Sequence, residues 1–120
     1  MFELSVKGDF ASSHILNGYD GKCKNLHGHT WKVEVTVAGD KLDPVGLLVD
    51  FKLLKKQLKD FLENLDHVHL NDLPAFQHMN PTTENLARHI YEGFSRMCAP
   101  VQLKKVVVWE SESAWVTYYP

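Results

Sequence analysis

From Phe2 to His14 the chain alternates, with Phe2, Leu4, Val6 and Phe10 on the parity of His14. This pattern predicts a strand with one buried face. A stricter alternation runs from His27 through His29, Trp31, Val33, Val35 and Val37, so both histidines fall on the apolar side of a second strand. The intervening stretch from Ile15 to Leu26 holds Asn17-Gly18 and Gly21 as turn material. A break from Asp40 to Gly46 contains Pro44, and Asp50 then reads as the N-cap of a helix. Its apolar positions, Phe51, Leu54, Leu58, Phe61, Leu62 and Leu65, recur at helical spacing, while Lys55, Lys56, Lys59 and Asp60 lie outside the stripe. Leu65 to Pro81 reads as a long irregular connection. A second helix opens at Pro81-Thr82-Thr83-Glu84, with Thr82 as cap and Glu84 at the positive end of the dipole. Its stripe is Leu86, Ala87, Ile90, Tyr91, Phe94 and Met97, and Pro100 closes it. Leu103–Trp109 and Ala114–Tyr119 read as a final hairpin. The order β-β-α-α-β-β predicts one α+β domain over residues 1–120, a four-stranded antiparallel sheet with both helices on one face.

At 120 residues, 44% hydrophobic and 23% charged, the chain has the make-up of an ordinary globular domain. A net charge of -2 without a basic run gives no footprint for nucleic acid. No apolar stretch reaches membrane-spanning length, and Glu3, Lys7 and Asp9 stand where a secretory signal would be apolar. A cytoplasmic location with free Cys23 and Cys98 thiols is the expectation.

The chemistry concentrates at one end of the expected sheet. If the first two strands pair antiparallel, His14 comes to lie beside His27 and His29. One histidine on an apolar face is ordinarily a hydrogen-bonded core residue. Three that converge are better explained by a cation, because burying three imidazoles carries a desolvation cost that a metal offsets. Zinc is the default ion, with iron or manganese as alternatives.

Cys23 precedes His27 by four residues, and Lys22 and Lys24 flank it. With a dication nearby these cations favour the thiolate, and the spacing leaves open a general base, a fourth ligand that closes the shell, or an inert thiol. Asp66-His67 follows the first helix, where an aspartate opposes the helix dipole. It reads as a polar turn or as a proton relay. His69 falls in the irregular connection without a partner strand, His78 and His89 read as exposed, and Cys98 as packing or surface. Glu110 has the parity of Val106 and Val108; it is either at a solvated edge or a buried carboxylate able to accept two donors side by side.

Taken together, Ala11-Ser-Ser-His14, Cys23-Lys-Asn-Leu-His27-Gly-His29, Val49-Asp50-Phe51, Leu65-Asp66-His67-Val-His-Leu70-Asn71, Asn80-Pro81-Thr82-Thr83-Glu84-Asn85 and Trp109-Glu110-Ser111 resemble the 6-pyruvoyltetrahydropterin synthase / 6-carboxytetrahydropterin synthase family from end to end. The C-x3-H-G-H spacing resembles its bacterial carboxytetrahydropterin branch. The resemblance implies the tunnelling fold (T-fold), in homohexamers built as dimers of trimers with active sites between subunits. It implies zinc on His14, His27 and His29, Cys23 as catalytic base, Asp66 and His67 as proton relay, Glu110 as pterin anchor, and Thr82 and Thr83 near the ring. The implied substrate is 7,8-dihydroneopterin triphosphate, a step toward queuosine and related deazapurines. Lys22, Lys24 and Arg88 are triphosphate candidates by charge alone.

Three other readings compete. The pyruvoyl-forming synthase shares the chemistry and differs in product. A cupin is suggested by Gly21-x5-His27-x-His29-x4-Glu34, but Glu34 has the opposite parity to the histidines, and two helices fill the centre where a jelly roll needs strands. A non-catalytic zinc-stabilised domain requires Cys23 on the metal in a closed four-ligand shell.

Overall fold

The computed structural model describes residues 1–21 and 25–120. Cys23, Lys22 and Lys24, to which the sequence assigns a base or ligand and two triphosphate candidates, lie outside the described residues.

The first two strands are β1 (Phe2–His14) and β2 (His27–Gly39). They pair antiparallel without interruption from Phe2↔Gly39 to His14↔His27. Their shared inner face buries Val6, Phe10, Trp31, Val33, Val35 and Val37, as the alternation requires. Helix α1 (Phe51–Leu62) starts where Asp50 accepts a hydrogen bond from the Lys52 amide at 2.8 Å. It buries Leu54, Leu58 and Leu62 against β1. Gly8 permits this approach: a Cβ there would stand 3.0 Å from Leu62 Cδ1. Phe51, expected on the buried stripe, is instead exposed, because the N-terminal turn of α1 is not covered. Helix α2 (Thr83–Cys98) is capped by Thr82, whose hydroxyl accepts from the Asn85 amide at 3.1 Å. It buries Leu86, Ala87, Ile90, Phe94 and Cys98, and Met97 is more exposed than its place in the stripe suggests.

The sheet has five strands in the order β3-β1-β2-β4-β5 and is mixed, where the sequence predicts four antiparallel ones. The additional strand, β3 (Val68–His69), pairs parallel with β1 through Ser12↔Val68 and Ser13↔His69. His69 therefore has a partner strand after all, and its Nδ1 lies 2.9 Å from the Ser13 hydroxyl. Two residues are too few to print a periodicity. The rest of the connection is ordered by single-turn helices at Leu70–Asp72 and Pro74–Phe76. The last strands, β4 (Gln102–Ser111) and β5 (Ala114–Tyr118), form the expected hairpin. Among the described residues no helix is long and apolar enough to cross a membrane.

His89 is half-buried rather than exposed, because the Phe76 turn folds over the side of α2 that periodicity marks as outward. Its ring centroid lies 5.4 Å from Phe76 and 6.3 Å from Phe61. Burial holds its imidazole below the ordinary histidine range, with Glu92 opposing that shift and Arg96 adding to it.

Nearby, Gly93 lets the Phe61 ring lie directly on α2, and a Cβ at that position would overlap the ring. Phe61 is also held edge-on by Phe94, with centroids 6.2 Å apart. Gly93→Ala should therefore cost about 1–3 kcal/mol in overpacking, offset in part by about 1 kcal/mol of helix propensity. A lowered urea midpoint would report the net loss, and an unchanged or raised midpoint would show that the ring can move aside.

Candidate metal centre

Antiparallel register brings the three histidines together. His14 and His27 are paired at the end of the β1–β2 ladder, and Ser12 is paired with His29. The ring centroids of His14 lie 4.4 Å from His27 and 5.1 Å from His29, and those of His27 and His29 are 4.7 Å apart. Trp31 forms the floor, fully buried, 5.1 Å from His14 and 5.0 Å from His29. Strand β4 supplies the fourth member. Glu110 lies one step beyond the Lys32–Trp109 pair, which sets its carboxylate against His29. One ligand atom from each of His14, His27, His29 and Glu110 falls within a 4.8 Å group.

The hydrogen bonds around the rings decide what the cluster can hold. His14 Nδ1 lies 2.8 Å from the Pro81 carbonyl oxygen, and His27 Nδ1 lies 2.7 Å from that of Asn25. A carbonyl oxygen only accepts, so each Nδ1 must carry the proton. Each neutral ring then turns an unprotonated Nε2 inward. Those two nitrogens stand 2.8 Å apart. Two lone pairs at that distance repel unless a proton or a metal ion lies between them. Burial works against the proton: it holds His14 below the ordinary histidine range, with the Pro81 carbonyl and Glu110 opposing the shift and His27 and His29 adding to it. His29 is also held low by desolvation, with Glu110 pulling the other way. Its Nε2 lies 3.2 Å from Glu110 Oε1, but off the hydrogen-bonding direction, so among the described residues this buried nitrogen has no hydrogen-bond partner. The donor set thus fits a divalent cation on imidazole nitrogens. The backbone carbonyls on His14 and His27 fix their tautomers as outer partners do in metalloproteins.

Glu110 is half-buried, and its Oε2 accepts a hydrogen bond from Thr83 at 2.9 Å. Thr83 and Glu110 line a cleft of about 150 Å³ with Glu84, Ala114, Trp115 and Val116. Thr82 spends its hydroxyl on the helix cap, so of the two threonines only Thr83 touches this carboxylate.

Asp66 and His67 lie elsewhere in the single chain. Asp66 lines a separate cleft of about 420 Å³ with Lys7, Asp9, Lys55, Lys59 and Glu63, and none of the clustered histidines lines it. The pair is nonetheless tightly built. Asp66 Oδ1 accepts from the Ala11 amide at 2.8 Å, the His67 amide donates to the Ala11 carbonyl at 2.6 Å, and His67 Nδ1 lies 2.8 Å from Asp66 Oδ2. The Ala11 amide and the His67 ring hold the Asp66 carboxyl below its usual range. His67 has φ 55, a left-handed conformation that costs a non-glycine residue free energy and collects at functional sites. Its ring is largely exposed. Sequence reasoning did not anticipate that Pro81 and Asn25 orient the rings, since backbone carbonyls leave no trace in side-chain patterns. Arg88, a triphosphate candidate by charge, is placed over the Tyr118 ring, 5.8 Å from its centroid.

A mixed sheet with two helices packed on it and, at one end of its ladder, a histidine–glutamate group that could hold a metal ion describe a T-fold domain. A family profile described as 6-pyruvoyl tetrahydropterin synthase matches residues 3–120. The chain is similar to the 6-carboxy-5,6,7,8-tetrahydropterin synthase of Bacillus subtilis, with 35% identity over 99% of this chain and 86% of the relative. It is 31% identical to the protein of the same name from Haemophilus influenzae, over 98% of this chain and 99% of the relative. The solved structure of Caenorhabditis elegans 6-pyruvoyl tetrahydropterin synthase superimposes with a TM-score of 0.88 at 28% identity, covering 99% of this chain and 95% of that one. The chain belongs to the 6-pyruvoyl tetrahydropterin synthase family, and it is an enzyme of the lyase class acting in pterin chemistry. The cupin reading falls: Glu34 pairs with Lys7 on β1 and Val107 on β4 and is not in the histidine cluster.

Proposed function

We propose that this protein is a zinc-dependent 6-carboxy-5,6,7,8-tetrahydropterin synthase, which converts 7,8-dihydroneopterin triphosphate and water to 6-carboxytetrahydropterin, acetaldehyde and triphosphate on the route to queuosine and related deazapurines. The observation that carries the metal part is the pair of inward-facing Nε2 atoms of His14 and His27, 2.8 Å apart with both outer nitrogens committed to carbonyls. Relatives of that name over nearly the whole chain support the product.

Held by His14, His27 and His29, zinc would supply Lewis acidity toward the side-chain hydroxyls. Glu110 anchors the pterin. Its carboxylate, braced by Thr83, accepts the ring N–H and amino donors side by side. The Cys23 thiolate takes a proton from the side-chain carbon. The Asp66 carboxylate accepts the Nδ1 proton of His67, so its Nε2 is the atom that exchanges a proton with substrate. Triphosphate leaves, and water adds to the side-chain carbon next to the ring; breaking the bond to the next carbon then leaves the 6-carboxylate, and the departing two-carbon fragment takes up a proton to become acetaldehyde.

One chain forms only part of such a site. The cleft at Glu110 is about 150 Å³, short of the roughly 300–1,000 Å³ of small-molecule sites, and Asp66 lines a different one. Among the described residues, the outer edge of β1 before Ser12 and the outer edge of β5 have no strand partner. Pairing of these edges between copies would satisfy them and assemble the site from neighbouring subunits of a homohexamer, a dimer of trimers.

The test is mass analysis of the products from 7,8-dihydroneopterin triphosphate. Acetaldehyde with 6-carboxytetrahydropterin is expected; a 6-pyruvoyl product that retains all three side-chain carbons would assign the chain to the other branch.

A further inference from the structure

His14 is the most buried of the three histidines, and it ends its strand. Beyond it the β1–β2 ladder stops, so the next backbone groups need other partners. Two asparagine side chains provide them. Asn71 Oδ1 accepts from the Ile15 amide at 2.8 Å, and its Nδ2 donates to the Ile15 carbonyl at 2.9 Å. Asn80 repeats the arrangement two residues on, accepting from the Asn17 amide at 2.9 Å and donating to its carbonyl at 2.7 Å. Each carboxamide thus stands in for a neighbouring strand's peptide group, offering one acceptor and one donor to a single residue.

Both clamps lead back to His14. Asn71 lies two residues past the end of β3, in the single turn Leu70–Asp72, and continues the β3–β1 pairing past Ser13 by side chain where its own backbone turns away. Asn80 precedes Pro81, whose carbonyl holds His14 Nδ1, and the Asn80 carbonyl is in turn tied by Asn85 Nδ2 at 2.8 Å. The backbone beside His14 and the carbonyl that orients its ring are therefore referenced to one frame. Only asparagine suits these positions. Aspartate would set a carboxylate oxygen against the Ile15 or Asn17 carbonyl, and glutamine is a methylene too long. Shortening the free loop contributes little, because closure cost grows only with the logarithm of length, so the gain is directional.

We infer that Asn71 and Asn80 are positioning residues that preset His14 for the metal. This rests on the metal-centre reading above. The test compares Asn71→Asp, Asn80→Asp and Asn80→Ala with wild type and with the surface variant His78→Ala. Three properties are measured: zinc affinity by chelator competition, the rate of zinc release, and the visible absorption of the cobalt-substituted protein. The asparagine variants are expected to bind zinc about tenfold more weakly, at the low end of the 10–100-fold cost of losing an outer partner. They should also release zinc faster and show an altered cobalt spectrum, while the unfolding midpoint of the zinc-free protein stays within a few degrees of wild type. If Asn71→Asp fails to fold, the two Asn80 variants decide, since the Asn80–Asn17 bonds are solvent-exposed. Variants that match wild type in affinity, release rate and spectrum would overturn the positioning role alone. A wild-type protein that takes up neither metal would overturn it together with the metal centre.

Discussion

Cys23→Ala should leave a folded protein with one zinc per chain and lower the turnover of 7,8-dihydroneopterin triphosphate by a factor of about 10²–10⁴, the usual worth of a general base. Zinc should be retained because, among the described residues, His14, His27, His29 and Glu110 already converge within 4.8 Å. Tautomers fixed by Pro81 and Asn25 supply ligand direction independently of position 23. Metal analysis beside a single-turnover assay separates the outcomes. If zinc and folding disappear together with the thiol, sulfur belongs to a closed shell and the zinc is structural. If turnover survives within a factor of a few, the base is another group.

Glu110→Gln is expected to weaken substrate binding by about 2–4 kcal/mol, with zinc content unchanged. The carboxylate has two neighbours: Thr83 donates to Oε2, and His29 Nε2 stands 3.2 Å from Oε1. Glutamine keeps the shape and can still accept from Thr83, but it loses the charge and turns one oxygen into a donor. A pterin presenting two adjacent N–H donors would then face one acceptor and one like group, which leaves a buried donor unpaired. If Glu110 is instead a metal ligand, the same substitution should lower zinc affinity and leave substrate binding to the zinc-saturated protein nearly intact. Calorimetry with a non-reacting pterin, run on zinc-loaded protein, distinguishes the two.

The sequence displayed the parts of the centre that follow from alternation. His14 shares the parity of Val6 and Phe10, and His27 and His29 share that of Trp31 and Val33. Antiparallel pairing was then enough to bring three rings together, as the His14↔His27 register confirms. Both helix starts were legible because Asp50 and Thr82 cap through their own side chains. What escaped depends on contacts between distant segments. Strand β3 has too few residues for a pattern. His89 lies on the outward side of its helix until Phe76, contributed by the connection, folds over it. The placement of Glu110 against His29 needed the β2–β4 register, which no local signal fixes, so from sequence it remained either an edge or an anchor. Asn71 and Asn80 belong to recognisable motifs, but their partners at Ile15 and Asn17 lie 56 and 63 residues away.

Burial of Cys98 has a practical outcome for work on the other sulfur. It is 4% exposed, its thiol lies within donating reach of the Val101 and Ser95 carbonyls, and desolvation pushes its ionisation above the ordinary range. Electrophiles consume thiolate, so under native conditions Cys98 is shielded both sterically and by protonation. Whatever maleimide or iodoacetamide the folded chain takes up therefore reports on Cys23, and the stoichiometry of labelling can be interpreted without first replacing Cys98.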